Sequence, residues 1–373
     1  MKKSFSSGLS RRLVLQGVSS AITVLFMNGC ASTKWMGSMP QRDTVVPEPV
    51  DGLNPTLRVI APAGLLQDTK RVERALARFS QSGFVVQNQE ALWRRYQHFA
   101  GTDDERLADL NVLATTSQPM PNILIATRGG YGAMRLLDRI DYARLCPRLI
   151  TAGSLLFGYS DTTALQLALL ARGGVITFSG PMLNSDFGSS TLSTFTMEGF
   201  RRLVTQSVLT VTVDLPQVTV CQEEGVLWGG NLSVLTQLVG TPWLPMIKGG
   251  ILFLEDVGEA LYRIERLLLQ LYYAGILAQQ KAILIGSITQ YKPDTYAPQD
   301  YTLDAVLNAL RQRLTVPILT GLPIGHVPDI ISLPIGAHAQ LSCTRQGYTL
   351  TVQGYPTLGK RMAAINWSAF DLK

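Results

Sequence analysis

The chain has 373 residues, 46% hydrophobic and 16% charged, with 33 glycines. That composition excludes a disordered or collagenous polypeptide and is long enough for two packed cores. The formal charge of +6 includes Lys2, Lys3, Arg11 and Arg12, and removing those four leaves +2; a near-neutral body without basic runs interleaved with aromatics excludes a nucleic-acid partner.

In chain order, the first signal is Lys2 and Lys3, then Ser10-Arg11-Arg12-Leu13-Val14-Leu15, then an apolar stretch through Phe26 that ends Met27-Asn28-Gly29-Cys30. It reads as an export leader. The paired arginines resemble a twin-arginine signal, and Gly29 before Cys30 resembles a lipoprotein box. Residues 1–29 are therefore expected to be removed and Cys30 acylated, leaving a periplasmic lipoprotein anchored to a membrane. The alternative is an uncleaved anchor, but the apolar run is shorter than the roughly 20 residues that span a bilayer. Residues 30–54 are polar and carry Pro40, Pro47 and Pro49, and read as a tether. Cys146, Cys221 and Cys343 remain, an odd number without C-x-x-C spacing, which indicates neither a zinc site nor a disulfide framework. Buried free thiols are expected for most of them, with one bridge allowed in an oxidising compartment but no pair selected.

From residue 56 onward apolar runs alternate with helical patterns: strand 57–61, helix 69–82, strand 84–87, helix 102–113, strand 122–126, a glycine turn 128–132, a helical run 133–137, strand 155–157 and helix 164–171. Such alternation predicts a Rossmann-like, mainly parallel sheet with helices on both faces. A helix over 192–204 and a strand over 209–213 are expected to close this domain, 55–215. The polar stretch 214–224 is the expected boundary to a mixed α/β C-terminal domain, 222–365. There Leu227-Trp228-Gly229-Gly230-Asn231 opens a helix, followed by strand 251–254, helix 261–273, strand 282–285, helix 303–314 and short strands near Ile318, Leu341 and Leu350.

A serine needs a base and a geometric device to become a nucleophile. Gly158-Tyr159-Ser160-Asp161-Thr162 places Ser160 at a strand-to-helix corner, close to a G-x-S-x-G elbow with Thr162 in place of the second glycine. The competing role for Ser160 is an ordinary helix N-cap. Three histidines narrow the search for a base. His98 precedes a helix as a surface or packing residue, His338 falls in an apolar segment as a core residue, and His326 ends Thr320-Gly321-Leu322-Pro323-Ile324-Gly325-His326 in a loop, where catalytic groups are commonly mounted. An orienting carboxylate is expected at a strand end. Glu255 follows Ile251-Leu252-Phe253-Leu254, but Asp256, Glu259 and Glu265 are near and composition does not choose among them. Arg128-Gly129-Gly130-Tyr131-Gly132 lacks the G-x-G-x-x-G spacing of a dinucleotide site; its glycines equally allow a close backbone approach to a substrate carbonyl, or a plain tight turn.

Taken in order, Arg128 to Gly132, Arg135-Leu-Leu137, Gly158 to Asp161, Phe178-Ser-Gly-Pro181, Leu227 to Leu232, Leu254-Glu-Asp256 and Gly321 to His326 resemble the LD-carboxypeptidase family across residues 56–358. The resemblance implies a serine peptidase without metal or cofactor, with Ser160 as nucleophile, Glu255 as orienting acid and His326 as base. It further implies oxyanion donors at the backbone N–H groups of Asp161 and Gly130, and homodimerisation. Arg128, Trp228 and Asn231, inside the shared motifs, are expected to bind substrate. The implied activity releases terminal D-alanine from a muropeptide. The alternatives are an immunity-type peptidase that cleaves a peptide–nucleotide antibiotic and a non-catalytic cell-wall binding lipoprotein. An export leader departs from the many family members that act in the cytoplasm.

Overall fold

The computed structural model describes residues 54–216, 218–291 and 301–373. The expected leader, Cys30 and all of the tether up to residue 53 lie outside the described residues.

The first half runs β1 (Thr56–Ile60), α1 (Thr69–Ser82), β2 (Val85–Gln87), α2 (Asp103–Thr115), β3 (Ile123–Ala126), α3 (Tyr142–Ala152), β4 (Leu155–Gly158), α4 (Thr162–Gly173), β5 (Thr177–Ser179) and α5 (Thr194–Thr205). Local chemistry sets the helix ends. Asp68 accepts from Arg71 N–H at the start of α1, Gly83 closes that helix in the left-handed region, and Thr102 with Glu105 forms a reciprocal capping box on α2. Val72, Ala75 and Phe79 of α1 share one face and are buried, so the helix packs by its apolar stripe. β3 and β4 are buried at every residue, as strands covered on both faces must be.

β1 to β5 are mutually parallel in the order 2-1-3-4-5. That order reverses between β1 and β3, and a doubly wound sheet opens a ligand crevice beyond the carboxyl ends of its strands at such a point. The loops leaving β1 and β3 meet there: Gly64 N–H donates to Gly129 O at 3.3 Å.

The second half runs β6 (Val208–Asp214), β7 (Cys221–Asn231), α6 (Leu232–Gln237), β8 (Ile251–Val257), α7 (Leu261–Tyr273), β9 (Ala282–Thr289), α8 (Leu303–Arg311), β10 (Ile318–Leu319), β11 (Leu333–Ile335), β12 (His338–Thr344) and β13 (Gly347–Gln353). Its seven-stranded sheet has the order 10-9-8-7-12-13-6, parallel from β7 to β10 and antiparallel across β12, β13 and β6. The Rossmann-like sheet and the second, mixed sheet are thus both present.

Several expectations change. The 208–214 strand, expected to close the first half, is the outer edge of the second sheet, paired with β13; its strict alternation of exposed and buried residues is the mark of a one-sided antiparallel strand. β11 crosses the other way and pairs antiparallel with β5, completing a six-stranded first sheet. The segment 227–231 is itself the end of a long strand before it opens α6. α3, absent from the expected elements, is capped by Asp141 and tolerates Pro147. His338 is exposed at the start of β12, not in the core, because it occupies an outward position of the alternation. Most thiols are not free: Cys221 and Cys343 face each other across β7 and β12 and form a disulfide, leaving Cys146 buried and reduced.

Candidate active site

Ser160 has φ +60, a left-handed conformation that a residue with a Cβ adopts at a cost of about 1–3 kcal/mol. The chain turns there between β4 and α4, and the position before α4 is held by Asp161 without a side-chain cap. Ser160 is therefore no N-cap; the strained corner presents its side chain outward at the carboxyl edge of the sheet. Gly129 sits against it. A Cβ at 129 would lie 2.6 Å from Ser160 Oγ and 2.7 Å from its Cβ, so only glycine fits. Gly129, and not Gly130, is the glycine touching the serine, a residue missed because spacing alone does not say which glycine of the turn faces the corner. Gly130 is exposed, with φ +112. Among the described residues, neither Asp161 N–H nor Gly130 N–H donates a hydrogen bond, which leaves both able to receive a ligand oxygen.

The Asp161 side chain does a different task. It is buried, and its Oδ2 accepts from Ala133 N–H at 2.8 Å, tying the serine corner to the end of the glycine turn. Burial raises its carboxyl to about 6, against the opposing pull of the Ala133 bond, the Arg106 charge and Gly132 N–H. Arg106, fully buried, donates to Gly132 O at 3.0 Å and to Pro62 O, and pairs with Asp103. The turn is thus clamped from both sides.

Glu255 and His326 meet in the second half. His326 Nδ1 lies 2.8 Å from Glu255 Oε2, the carboxylate being almost wholly buried and the imidazole partly open. A bulge positions both. Leu254 pairs with Ile285 but Asp256 with Ile288, so β9 carries an extra residue beside Glu255. Ser287 N–H in that bulge donates to Ile324 O at 2.8 Å and so holds the His326 loop. Gly325 has φ +124 and a Cβ there would come 2.9 Å from Ser287 O, which explains a glycine just before the histidine.

The neighbouring carboxylates separate by partner. Asp256 accepts from Ser233 N–H at 2.9 Å and from Ser233 Oγ at the start of α6, whereas Glu255 meets the imidazole. The α7 cap position is Ala260, so Glu255 is not a helix cap. Asn231 donates to Glu255 Oε1 and to Asp256 Oδ1, both at 3.2 Å, while its own Oδ1 accepts from Val234 N–H and its N–H donates to Thr163 Oγ1 in α4. Asn231 thus supports Glu255 and links it to the serine helix. Trp228 is removed from the substrate role: it is 1% exposed, with its indole N–H donating to Gln280 in the core. Arg128 is half-buried, donates to Gly129 O and Leu65 O, and has no carboxylate partner among the described residues.

No hydrogen bond joins Ser160 to His326. They meet through Tyr159, whose ring centre is 5.1 Å from the imidazole in an edge-on arrangement. Contacts run from the Ser160 carbonyl through Thr163 and Asn231 to Glu255 and His326, and Tyr159, next to Ser160 in sequence, lies against the imidazole.

A strained serine at the carboxyl edge of a doubly wound sheet and a histidine–carboxylate pair are the polar groups of this site. Residues 57–180 match the profile of the LD-carboxypeptidase N-terminal domain and residues 224–341 that of the LD-carboxypeptidase C-terminal domain. The chain is 34% identical over 292 residues to a probable murein peptide carboxypeptidase of Bacillus subtilis, covering 77% of this chain and 88% of that one. It is 32% identical over 324 residues to the murein tetrapeptide carboxypeptidase of Pseudomonas aeruginosa, covering 83% and 99%. The crystal structure of a muramoyltetrapeptide carboxypeptidase from Oxalobacter formigenes superposes with a TM-score of 0.75 at 40% identity, covering 81% of this chain and all of that one. The chain belongs to the LD-carboxypeptidase family.

Proposed function

We propose that this protein is a serine carboxypeptidase that hydrolyses the amide between the L-centre of a diamino acid and a terminal D-alanine in murein tetrapeptides. The observation that carries the reading is Ser160 held at φ +60 against Gly129, with the imidazole of the His326–Glu255 pair against the neighbouring Tyr159 ring. His326 takes the proton from Ser160 Oγ as the oxygen bonds to the peptide carbonyl carbon. Glu255, at Nδ1, keeps the other imidazole nitrogen free for that task and stabilises the cation. The carbonyl oxygen becomes an anion between Asp161 N–H and Gly130 N–H; one such donor contributes about 2.7–4 kcal/mol to lowering the barrier. The imidazolium then gives its proton to the departing amine, D-alanine leaves, and water, deprotonated by His326, releases the acyl group and restores Ser160.

A carboxypeptidase must recognise a free terminal carboxylate. Arg128, a half-buried guanidinium bonded to the Gly129 carbonyl and without an acidic partner among the described residues, supplies the matching cation beside the scissile bond. The disulfide between Cys221 and Cys343 supports an oxidising compartment, in keeping with export and with a lipid anchor at Cys30. Mass spectrometry of a murein tetrapeptide incubated with wild type and Ser160→Ala tests the chemistry: one alanine lost with wild type only is expected, and equal loss with both removes Ser160 as nucleophile. Globomycin should block maturation of the leader if Cys30 is acylated, and unaltered processing in its presence excludes that anchor.

A further inference from the structure

The segment 183–187, a wide helical turn of Leu183–Phe187, has no part in the mechanism above, yet it is built against the base. Such π-type turns concentrate at functional sites. Asp186 is half-buried as a residue with its carboxylate turned inward. Its Oδ2 accepts from Met182 N–H at 2.8 Å and from Ser185 Oγ at 2.6 Å, and Ser185 Oγ in turn accepts from Tyr159 O–H at 3.2 Å. The direction of donation runs from tyrosine to serine to carboxylate. Tyr159, nearly buried, lays its ring against His326, and the Asp186 charge is within electrostatic reach of the imidazole.

The turn is also fastened from behind. Arg71, Arg74 and Arg78 line one face of α1 at intervals of three and four residues and donate to the main-chain carbonyls of Asn184 and Ser185, of Gly188, and of Phe187 and Ser189 respectively. Asn184 N–H donates to Thr127 O at the end of β3, and a Cβ at Gly188 would lie 2.6 Å from Arg71 O. Two of these guanidinium groups hold the turn itself and the third holds Gly188 just beyond it, which implies that its position matters.

We propose that this turn is a second positioning arm of the catalytic base: Asp186, through Ser185 and Tyr159, holds the His326 ring in the orientation the reaction needs. Asp186, Ser185 and Tyr159 are positioning residues, and the inference rests on His326 being the base. The groups facing His326 are Glu255 from β8, Tyr159 from the β4–α4 corner and Asp186 from the turn, while Arg71 of α1 faces Asp186. Burial raises the Asp186 carboxyl above its ordinary value, and the Ser185 and Met182 donors, the His326 charge and Arg71 oppose that rise.

The experiment measures the pH dependence of two quantities in wild type, Asp186→Asn, Ser185→Ala and Tyr159→Phe: tetrapeptide kcat/KM, and the rate of covalent labelling of Ser160 by a fluorophosphonate. Asp186→Asn should lower kcat and the labelling rate roughly tenfold across the profile, with KM within about twofold. Ser185→Ala should lower both in the same direction by less, and it answers the question alone should Asp186→Asn not fold. Tyr159→Phe keeps the ring but removes the O–H that donates to Ser185, so it should lower kcat several-fold. A labelled wild type whose profile superposes on those of folded Asp186→Asn and Ser185→Ala overturns this inference alone. A wild type that does not label overturns the serine mechanism and this inference with it.

Discussion

Replacing Gly129 by alanine puts one methyl group where the serine corner already stands. The new Cβ would sit 2.6 Å from Ser160 Oγ and 2.7 Å from Ser160 Cβ, whereas ordinary contact begins near 3.4 Å, so the two segments must part by about 0.8 Å. The backbone at 129 lies outside the left-handed region, so alanine meets no conformational obstacle of its own and the whole effect comes from the clash. Overpacking of this size costs about 1–3 kcal/mol in stability. Misplacing a reacting oxygen by about 1 Å costs roughly 10²-fold in rate. Urea unfolding and tetrapeptide kcat/KM read the two effects separately. A second arm isolates the cause: in a Ser160→Gly background both offending atoms are gone, so Gly129→Ala should become nearly neutral, with a coupling of about 1–2 kcal/mol between the sites. Wild-type turnover in Gly129→Ala, or the same stability loss in both backgrounds, would show that the serine does not stand against this glycine.

Ser160→Gly and Ser160→Ala should both be inactive, but glycine accepts φ +60 and alanine does not, so the glycine variant should be the more stable by about 1 kcal/mol in denaturant titrations; equal stabilities would argue against a strained corner. Asp161→Asn keeps an acceptor for Ala133 N–H but removes a carboxyl that burial raises from 3.8 to about 6. Between about pH 4 and 6 the folded chain holds that proton more tightly than the unfolded chain. The contribution of Asp161 to stability is therefore complete below about pH 4 and is lost as pH rises through 6. The variant should accordingly be the more stable by about 1–3 kcal/mol at pH 7.5, with the gap closing toward pH 4; a gap independent of pH in thermal melts would contradict the assigned burial. Cys221→Ser should lose about 2–4 kcal/mol under non-reducing conditions and match wild type in reductant, as expected for a bridge spanning 122 residues; an identical loss in both conditions would point to packing alone.

Sequence by itself determined the doubly wound first sheet, the corner serine and the loop histidine, because these rest on local signals: fully apolar runs for two-sided strands, periodic helices with caps, and too few histidines to leave many choices. It also put Glu255 among several acids without separating it from Asp256, since two adjacent carboxylates look alike until their partners are known. Tertiary structure alone decided that question, through a bulge in β9 that directs Glu255 to His326 while Asp256 turns to Ser233. It likewise placed Trp228 in the core, bound Asn231 to Glu255, set Gly129 against the serine, put β6 in the second sheet and β11 in the first, and paired Cys221 with Cys343. Each of those outcomes depends on which segments lie side by side and in what register, and residues from about twenty to more than a hundred positions apart carry no local trace of that pairing.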